Sequence, residues 1–170
     1  TIGESAFAYC PITSLVLTDN ISSIGSNAFE QSALTTITMP KTLTEVPENC
    51  FNGCSALKTI GLNTGVKTID KNALKGCSSL LNITIPANVE TIGESAFEDC
   101  TKLYNVIFNA GIKYIKPRAF ANTTALTSVS FPYTLTELDG TSFEGSGLKN
   151  VTCYNKNVAS NRTCLLYTSD

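Results

Sequence analysis

The sequence predicts a repeat solenoid, because one segment returns along the chain at a nearly constant interval. Residues 92–100 (IGESAFEDC) echo residues 2–10 (IGESAFAYC), and related segments lie between and after them. The units begin near residues 2, 24, 46, 69, 92, 115 and 138, so each step is 22 or 23 residues. A fixed period of this size is typical of solenoids, in which each unit buries its apolar face only against its neighbours.

Each unit contains a short apolar block with the alternation of a β-strand. Its outer residues are apolar and its middle residue is usually small or polar, as in Ile83-Thr84-Ile85, which predicts a strand with one buried face. The blocks occupy residues 15–17, 37–39, 60–62, 83–85, 106–108, 129–131 and 151–153. Proline follows the strand directly in three units, at Pro40, Pro86 and Pro132. Since proline has no N–H for a ladder bond, pairing is predicted to end there.

A second apolar pattern leads from one unit into the next. A spaced pair such as Val89 and Ile92 is followed by turn or polar residues, a small residue and an aromatic residue or Leu, as in Ala96-Phe97. We interpret this pattern as one short helical turn on the side opposite the strands. The small residue allows close packing and the ring fills the core, where each buried large side chain contributes about 1.5–3 kcal/mol.

Units of the form I-G-x-x-A-F-x-x-C-x-x-L-x-x-I-x-I-P-x-x-V-x-x resemble the BspA-type leucine-rich repeat family, from Ile2 to about Tyr154. The resemblance implies, over residues 1–154, a right-handed leucine-rich-repeat superhelix with a parallel β ladder on one side and short helical turns on the other. The family consists largely of bacterial and protist surface proteins, some of which resemble adhesins. The resemblance therefore implies a cell-surface or secreted location, with a host or neighbouring-cell protein or glycan as the partner.

The repeat pattern fails after Tyr154. We interpret residues 155–163 as an incomplete repeat or irregular end. Residues 164–170 (CLLYTSD) can be written as the codons TGT CTC TTA TAC ACA TCT GAC, which resemble the mosaic end of a transposase-based sequencing adapter. We interpret this last segment as a sequencing artefact with no part in the fold.

Composition argues against several classes of function. The chain carries 12 Lys and Arg against 14 Asp and Glu, a net charge of −2 without a basic stripe, which disfavours nucleic-acid binding. It lacks the run of about 18 apolar residues that a membrane span needs, so we expect no direct membrane insertion. It has no histidine, and its acidic residues are spread singly over many units. We therefore expect no catalytic residues, no cofactor and no enzymatic activity.

The seven cysteines raise the question of a disulfide or a zinc site. Six of them occupy small or apolar positions of the repeat: Cys10, Cys50, Cys54, Cys77, Cys100 and Cys153. Such positions predict buried thiols that behave as small hydrophobes. Stacked units place Cys54, Cys77 and Cys100 about 5 Å apart, so oxidation of one pair stays open. A zinc site would need CxxC pairs or histidine partners, and the sequence has neither.

The exposed strand residues form the predicted interaction surface, which is small, polar and nearly uncharged. Tyr104, Tyr114 and Tyr133 stand in the fifth and sixth units, where other units carry Thr, Lys, Ser or Glu. Because exposed tyrosine is enriched at binding sites, these residues form a candidate ligand-binding patch with the nearby Asn105 and Ile107. The pattern also fits a solvated face without a ligand, since threonine suits an exposed strand for packing reasons alone.

One column of the repeat carries alternating charge and reads Thr44, Lys67, Glu90, Lys113, Thr136. Opposite charges on adjacent strands are expected to pair. Exposed pairs contribute about 0–1 kcal/mol each, so we interpret the column as support for the register and not as a binding site.

Three functions fit these observations. The first is a non-enzymatic recognition module of a surface or secreted protein, serving adhesion. The second is a passive spacer that presents another domain, which can be an enzyme. The third is an intracellular scaffold, which is consistent with reduced, buried thiols.

Overall fold

The computed structural model describes residues 1–155. The interpretations of residues 155–163 and 164–170 therefore concern residues outside this range, apart from Asn155. The described residues contain eleven short strands. In chain order they are β1 (Thr36–Thr38), β2 (Glu45–Val46), β3 (Thr59–Gly61), β4 (Thr68–Ile69), β5 (Asn82–Ile85), β6 (Thr91–Ile92), β7 (Asn105–Phe108), β8 (Tyr114–Ile115), β9 (Ser128–Phe131), β10 (Glu137–Leu138) and β11 (Asn150–Cys153).

The odd-numbered strands are the ones that the sequence predicts, and we call them the first ladder. All their pairings are parallel and join residues one unit apart, such as Ile83 with Val106. Ile83 and Ile85 are buried while Asn82 and Thr84 are exposed, which confirms the predicted alternation. Each of these strands begins one residue earlier than predicted.

The even-numbered strands form a second ladder, which the sequence analysis did not predict. Five strands pair in parallel in the order β10-β8-β6-β4-β2. Each is two residues long and buries its second residue, as Ile92 does in β6. The sequence shows the spaced apolar pair, such as Val89 and Ile92, but a strand of only two residues is too short to display the alternation of buried and exposed side chains. The fold is therefore a parallel β-solenoid with two ladders.

The predicted short helical turns are not confirmed, since residues 1–155 contain no helix. In their place each unit has consecutive hydrogen-bonded turns in which alternate amides reach the next unit, as when Phe97 N–H donates to Ala119 O at 2.7 Å. The intervening amides donate three residues back. Ser95 and Asp99 adopt positive φ angles of 55° and 62°, and these left-handed residues end any helical path.

The aromatic position of the repeat fills the core, as predicted. Phe120 stacks between Phe97 and Phe143, with ring centroids 4.9 Å and 5.0 Å apart and nearly parallel planes. Phe7, Phe29 and Phe51 form a second stack, and the buried Leu74 separates the two.

The repeated cysteines are buried as predicted, and they also donate hydrogen bonds. The Sγ atoms of Cys54, Cys77 and Cys100 lie 2.9, 3.3 and 3.2 Å from backbone carbonyl oxygens of the adjacent unit. Burial raises the pKa of the Cys77 and Cys100 thiols, so both stay protonated and able to donate. Cys10, Cys50, Cys54, Cys77 and Cys100 are free thiols. Cys153 departs from the expectation because it is half-buried and disulfide-bonded.

The first ladder is interrupted at every second step. Strands β1 and β3, β5 and β7, and β9 and β11 are paired, whereas β3 and β5, like β7 and β9, belong to different hydrogen-bonded sheets. The strand predicted at residues 15–17 is also missing, and a single bridge from Ser14 to Thr36 joins this segment to β1.

A proline accompanies each of these interruptions. Where neighbouring strands pair, the residue after the strand can donate its amide to the end of the preceding strand, as Asn109 N–H does to Ile85 O at 3.2 Å. At the three interrupted steps the repeat position equivalent to Asn109 holds Pro40, Pro86 or Pro132, which has no N–H to donate. The sequence predicts that pairing ends along the chain at these prolines, and β5 and β9 do end directly before Pro86 and Pro132.

Pro47 has the same effect in the second ladder. Elsewhere in that ladder the residue after the strand donates to the preceding unit, as Gly93 N–H does to Ile69 O at 2.7 Å. Pro47 follows β2, and β2 is the edge strand of its sheet. Between the units that begin near residues 24 and 46, where Pro47 interrupts the second ladder, the first ladder is intact because β1 pairs with β3. At least one ladder therefore joins each successive pair of described units.

Candidate functional site

The outward face of the first ladder carries no charged side chain. Its exposed positions hold only hydroxyl, amide, glycine and isoleucine residues. In strand order these are Thr36, Thr38, Thr59, Gly61, Asn82, Thr84, Asn105, Ile107, Ser128, Ser130, Asn150 and Thr152. Because strands alternate their side chains, these residues share one face, which we call the first-ladder face.

Three of the five predicted site residues lie on or beside this face. Asn105 and Ile107 project from the exposed side of β7, and Tyr104 directly precedes the strand. Tyr104 is 56% exposed and Ile107 47% exposed, which is high for large apolar side chains. Their role in binding stays a prediction.

The other two predicted residues lie elsewhere on the solenoid. Tyr114 belongs to β8 in the second ladder, where Lys116 Nζ lies 5.3 Å from its ring centroid. Tyr133 follows β9 at the corner between the ladders and is 69% exposed. The five residues are therefore divided between the first-ladder face, the corner and the second ladder.

The interrupted steps of the first ladder coincide with three shallow clefts. The cleft between β7 and β9 has a volume of about 270 Å³ and is lined by Asn105, Ile107, Ser128 and Ser130, among others. A cleft of about 480 Å³ lies between β3 and β5, and one of about 240 Å³ lies between residues 14–17 and β1. The clefts were not predicted from the sequence, in which the accompanying prolines are the only related signal.

Charged residues are concentrated on the other sides of the solenoid. In the second ladder Lys113 Nζ lies 3.0 Å from Glu90 Oε1, which confirms the predicted pairing in the alternating column for these two residues. Lys116 and Glu137 form a second ion pair at 3.0 Å. The first-ladder face therefore differs from its surroundings in charge as well as in shape.

The turn side carries an ion-pair network that the sequence analysis also missed. Glu98 has a side chain only 8% exposed, and its Oε2 lies 3.0 Å from Lys75 Nζ. Its Oε1 accepts a hydrogen bond of 3.1 Å from Arg118 Nε, while Arg118 also pairs with Glu144. Burial alone would raise the pKa of Glu98, but hydrogen bonds from Arg118, Ser95 and Lys75 lower it to about 2.

This network is structural in character, because every charge in it is matched by an opposite one. Within residues 1–155 no group of three or more His, Cys, Asp or Glu side chains is placed to hold a metal ion. Over the same residues, no helix has the length and apolar character needed to cross a membrane.

The comparison with known families agrees with this geometry. The sequence model of the BspA type leucine-rich repeat region matches six copies, over residues 1–126 and 100–169. The chain belongs to the BspA-type leucine-rich repeat family. The match indicates no catalytic family, and no curated protein matches the chain.

Solved structures of other leucine-rich repeat proteins are similar to this solenoid. A protein from Eubacterium ventriosum ATCC 27560 is 30% identical with a TM-score of 0.78, covering 86% of this chain and 41% of its own. The leucine-rich repeat protein of T. pallidum is 26% identical with a TM-score of 0.70, covering 89% of this chain and 61% of its own. The pneumococcal vaccine antigen PcpA is 29% identical with a TM-score of 0.63, and the match covers 73% of this chain and 31% of PcpA. The chain thus spans less than two thirds of the length of each.

Proposed function

We propose that this chain is a non-enzymatic recognition module of a cell-surface or secreted protein. Its role is adhesion, through binding of a protein or glycan of a host or neighbouring cell. Membership of the BspA-type family is compatible with protein binding at a surface, and the similarity to the antigen PcpA supports a surface location. The binding surface is the first-ladder face, with Tyr104 at its edge.

The observation that carries this proposal is the absence of charge from one exposed face. A spacer needs only a soluble surface, and charged residues distributed over all sides serve that purpose. Here the second ladder and the turn side carry ion pairs, whereas the exposed positions of the first ladder carry none. A broad uncharged face with exposed Tyr104 and Ile107 is the composition of a binding surface more than of a spacer.

A double variant tests this proposal. Replacing Tyr104 and Ile107 by threonine, which the unit of β1 carries at both equivalent positions (Thr35 and Thr38), should lower binding to cultured epithelial cells and to immobilised matrix proteins at least fivefold. The reason is the loss of the two large exposed side chains of the face. Binding is measured by flow cytometry and by surface plasmon resonance, and the melting temperature should change by no more than about 2 °C, as for surface substitutions.

The matched control is Tyr9→Asn on the turn side, because Tyr9 is 66% exposed and Asn122, at the equivalent repeat position, shares its left-handed backbone. This variant should bind as the unchanged protein does. Equal binding by all three proteins, or no binding by the unchanged protein, would favour the passive spacer.

A further inference from the structure

The three interrupted steps leave backbone groups of neighbouring strands without regular ladder partners. Peptide N–H and C=O groups need hydrogen-bond partners, and in an open cleft these come from water or a ligand. The second ladder still joins the units on both sides of the β3–β5 and β7–β9 steps, since β2 pairs with β4 and β6 with β8. The second ladder therefore fixes the position of the units on both sides of these two clefts.

The walls of all three clefts are uncharged. The side chains around them carry hydroxyl and amide groups beside apolar surface, such as Asn105 and Ser130 beside Ile107. The cleft between β3 and β5 has the same character, with Asn82 and Thr84 beside Leu62. A ligand that fits must supply both donors and acceptors, present some C–H surface and carry no charge. A neutral sugar ring has these properties, with hydroxyls around its edge and C–H groups on its faces.

The spacing of the clefts favours a chain of such rings over a single ring. Neighbouring units in a β ladder are about 4.8 Å apart, and the clefts recur at every second step, so they lie about 10 Å apart along the solenoid. A linear oligosaccharide laid along the axis can place a ring in each cleft. An added peptide strand is a poorer fit, because inserting it would require the neighbouring units to lie about 10 Å apart, twice the usual spacing, and the second ladder joins those units.

We infer that the proline-opened clefts of the first-ladder face are consecutive subsites for a neutral oligosaccharide. This inference rests on the proposed recognition function and names its ligand class. Pro40, Pro86 and Pro132 keep the subsites open, and the uncharged walls reject acidic glycans, since no lysine or arginine lines a cleft to pair with a carboxylate or sulfate.

Closing two clefts tests the inference. In the variant P86N/P132N each proline becomes asparagine, the residue that stands at the equivalent repeat position in two other units, as Asn63 and Asn109. The new N–H groups can complete the ladder. The matched control is P117A, because Pro117 lies on the turn side and no ladder interruption accompanies it.

Isothermal titration calorimetry with cellohexaose, xylohexaose, mannohexaose and maltohexaose should show binding of at least one of them to the unchanged protein. P86N/P132N should raise its Kd at least tenfold, P117A should leave it within twofold, and hexagalacturonate should not bind. A second variant, T84K/S130K, places charge in the same clefts and should lower affinity as strongly, even if the asparagine variant does not close them.

Failure to bind any neutral hexasaccharide, equal binding of hexagalacturonate, or unchanged affinity in T84K/S130K would overturn the inference. The proposed recognition function fails separately. If no sugar binds but the Tyr104 and Ile107 double variant still loses cell binding, recognition stands and its ligand is not a neutral glycan.

Discussion

Phe120→Ala should lower the free energy of unfolding by about 3–5 kcal/mol, the range for removing a buried ring from a core. Phe120 is fully buried and stacks on Phe97 and Phe143, and it makes a T-shaped contact with Phe108, with ring centroids 5.8 Å apart. The cavity would open in the middle of the aromatic stack. Each unit of a solenoid is stabilised mainly by its neighbours, so this loss weakens the contacts on both sides.

The matched control for this variant is Phe120→Leu. Leu74 occupies the same repeat position and is fully buried there, so the backbone of this fold accommodates leucine at that site. We expect a loss of about 1–1.5 kcal/mol, as for a conservative change of volume. Urea unfolding followed by circular dichroism measures both values. Equal losses for the two variants would show that the ring stack is not a major source of stability.

Glu98→Gln should destabilise the protein by about 2 kcal/mol at pH 7, and this difference should shrink in acid. The folded-state pKa of Glu98 is lowered from 4.5 to about 2. A lowered pKa means that the stabilisation is complete above about pH 4.5 and is lost as the pH falls towards 2. The full shift corresponds to about 3 kcal/mol, and we reduce it because Arg118 and Lys75 are 39% and 38% exposed.

Glu94→Gln is the matched control for this effect. Glu94 pairs with Lys71 at 3.2 Å, and both side chains are 50% exposed, so its removal should cost about 0–1 kcal/mol. Urea unfolding of the unchanged protein and both variants is measured at pH 7, 4.5, 3.5 and 2.5. A Glu98→Gln deficit that is the same at pH 7 and pH 2.5 would contradict the assigned cause.

The repeat period was sufficient to predict the solenoid, its first ladder and much of its core. Ile83 and Ile85 alternate with Asn82 and Thr84 because one face of the strand is buried, and that period is visible in the sequence. The second ladder escaped prediction because a strand such as Thr91–Ile92 is too short to show alternation. The pattern in the sequence favours helical turns because nothing in it marks the left-handed backbone of Ser95 and Asp99.

The ion-pair network and the clefts depend on contacts between units, which a single sequence does not display. Arg118 reaches both Glu98 and Glu144, and the intervening unit carries the small, buried Ala121 at the repeat position that those two glutamates share. The prolines were noted in the sequence. Their effect could be assigned only once the structure showed which carbonyl each ladder N–H reaches, as with Asn109 and Ile85.

The central claim is that proline opens the first ladder at alternate steps and so shapes its recognition face. Amide hydrogen exchange measured by NMR tests this claim most directly. Amides bonded within the β5–β7 and β9–β11 pairs, and that of Asn109 beside them, should exchange slowly. Strand amides that face the β3–β5 and β7–β9 steps should exchange at least tenfold faster. Uniform protection along the whole first ladder would show that the clefts are closed and would contradict the account.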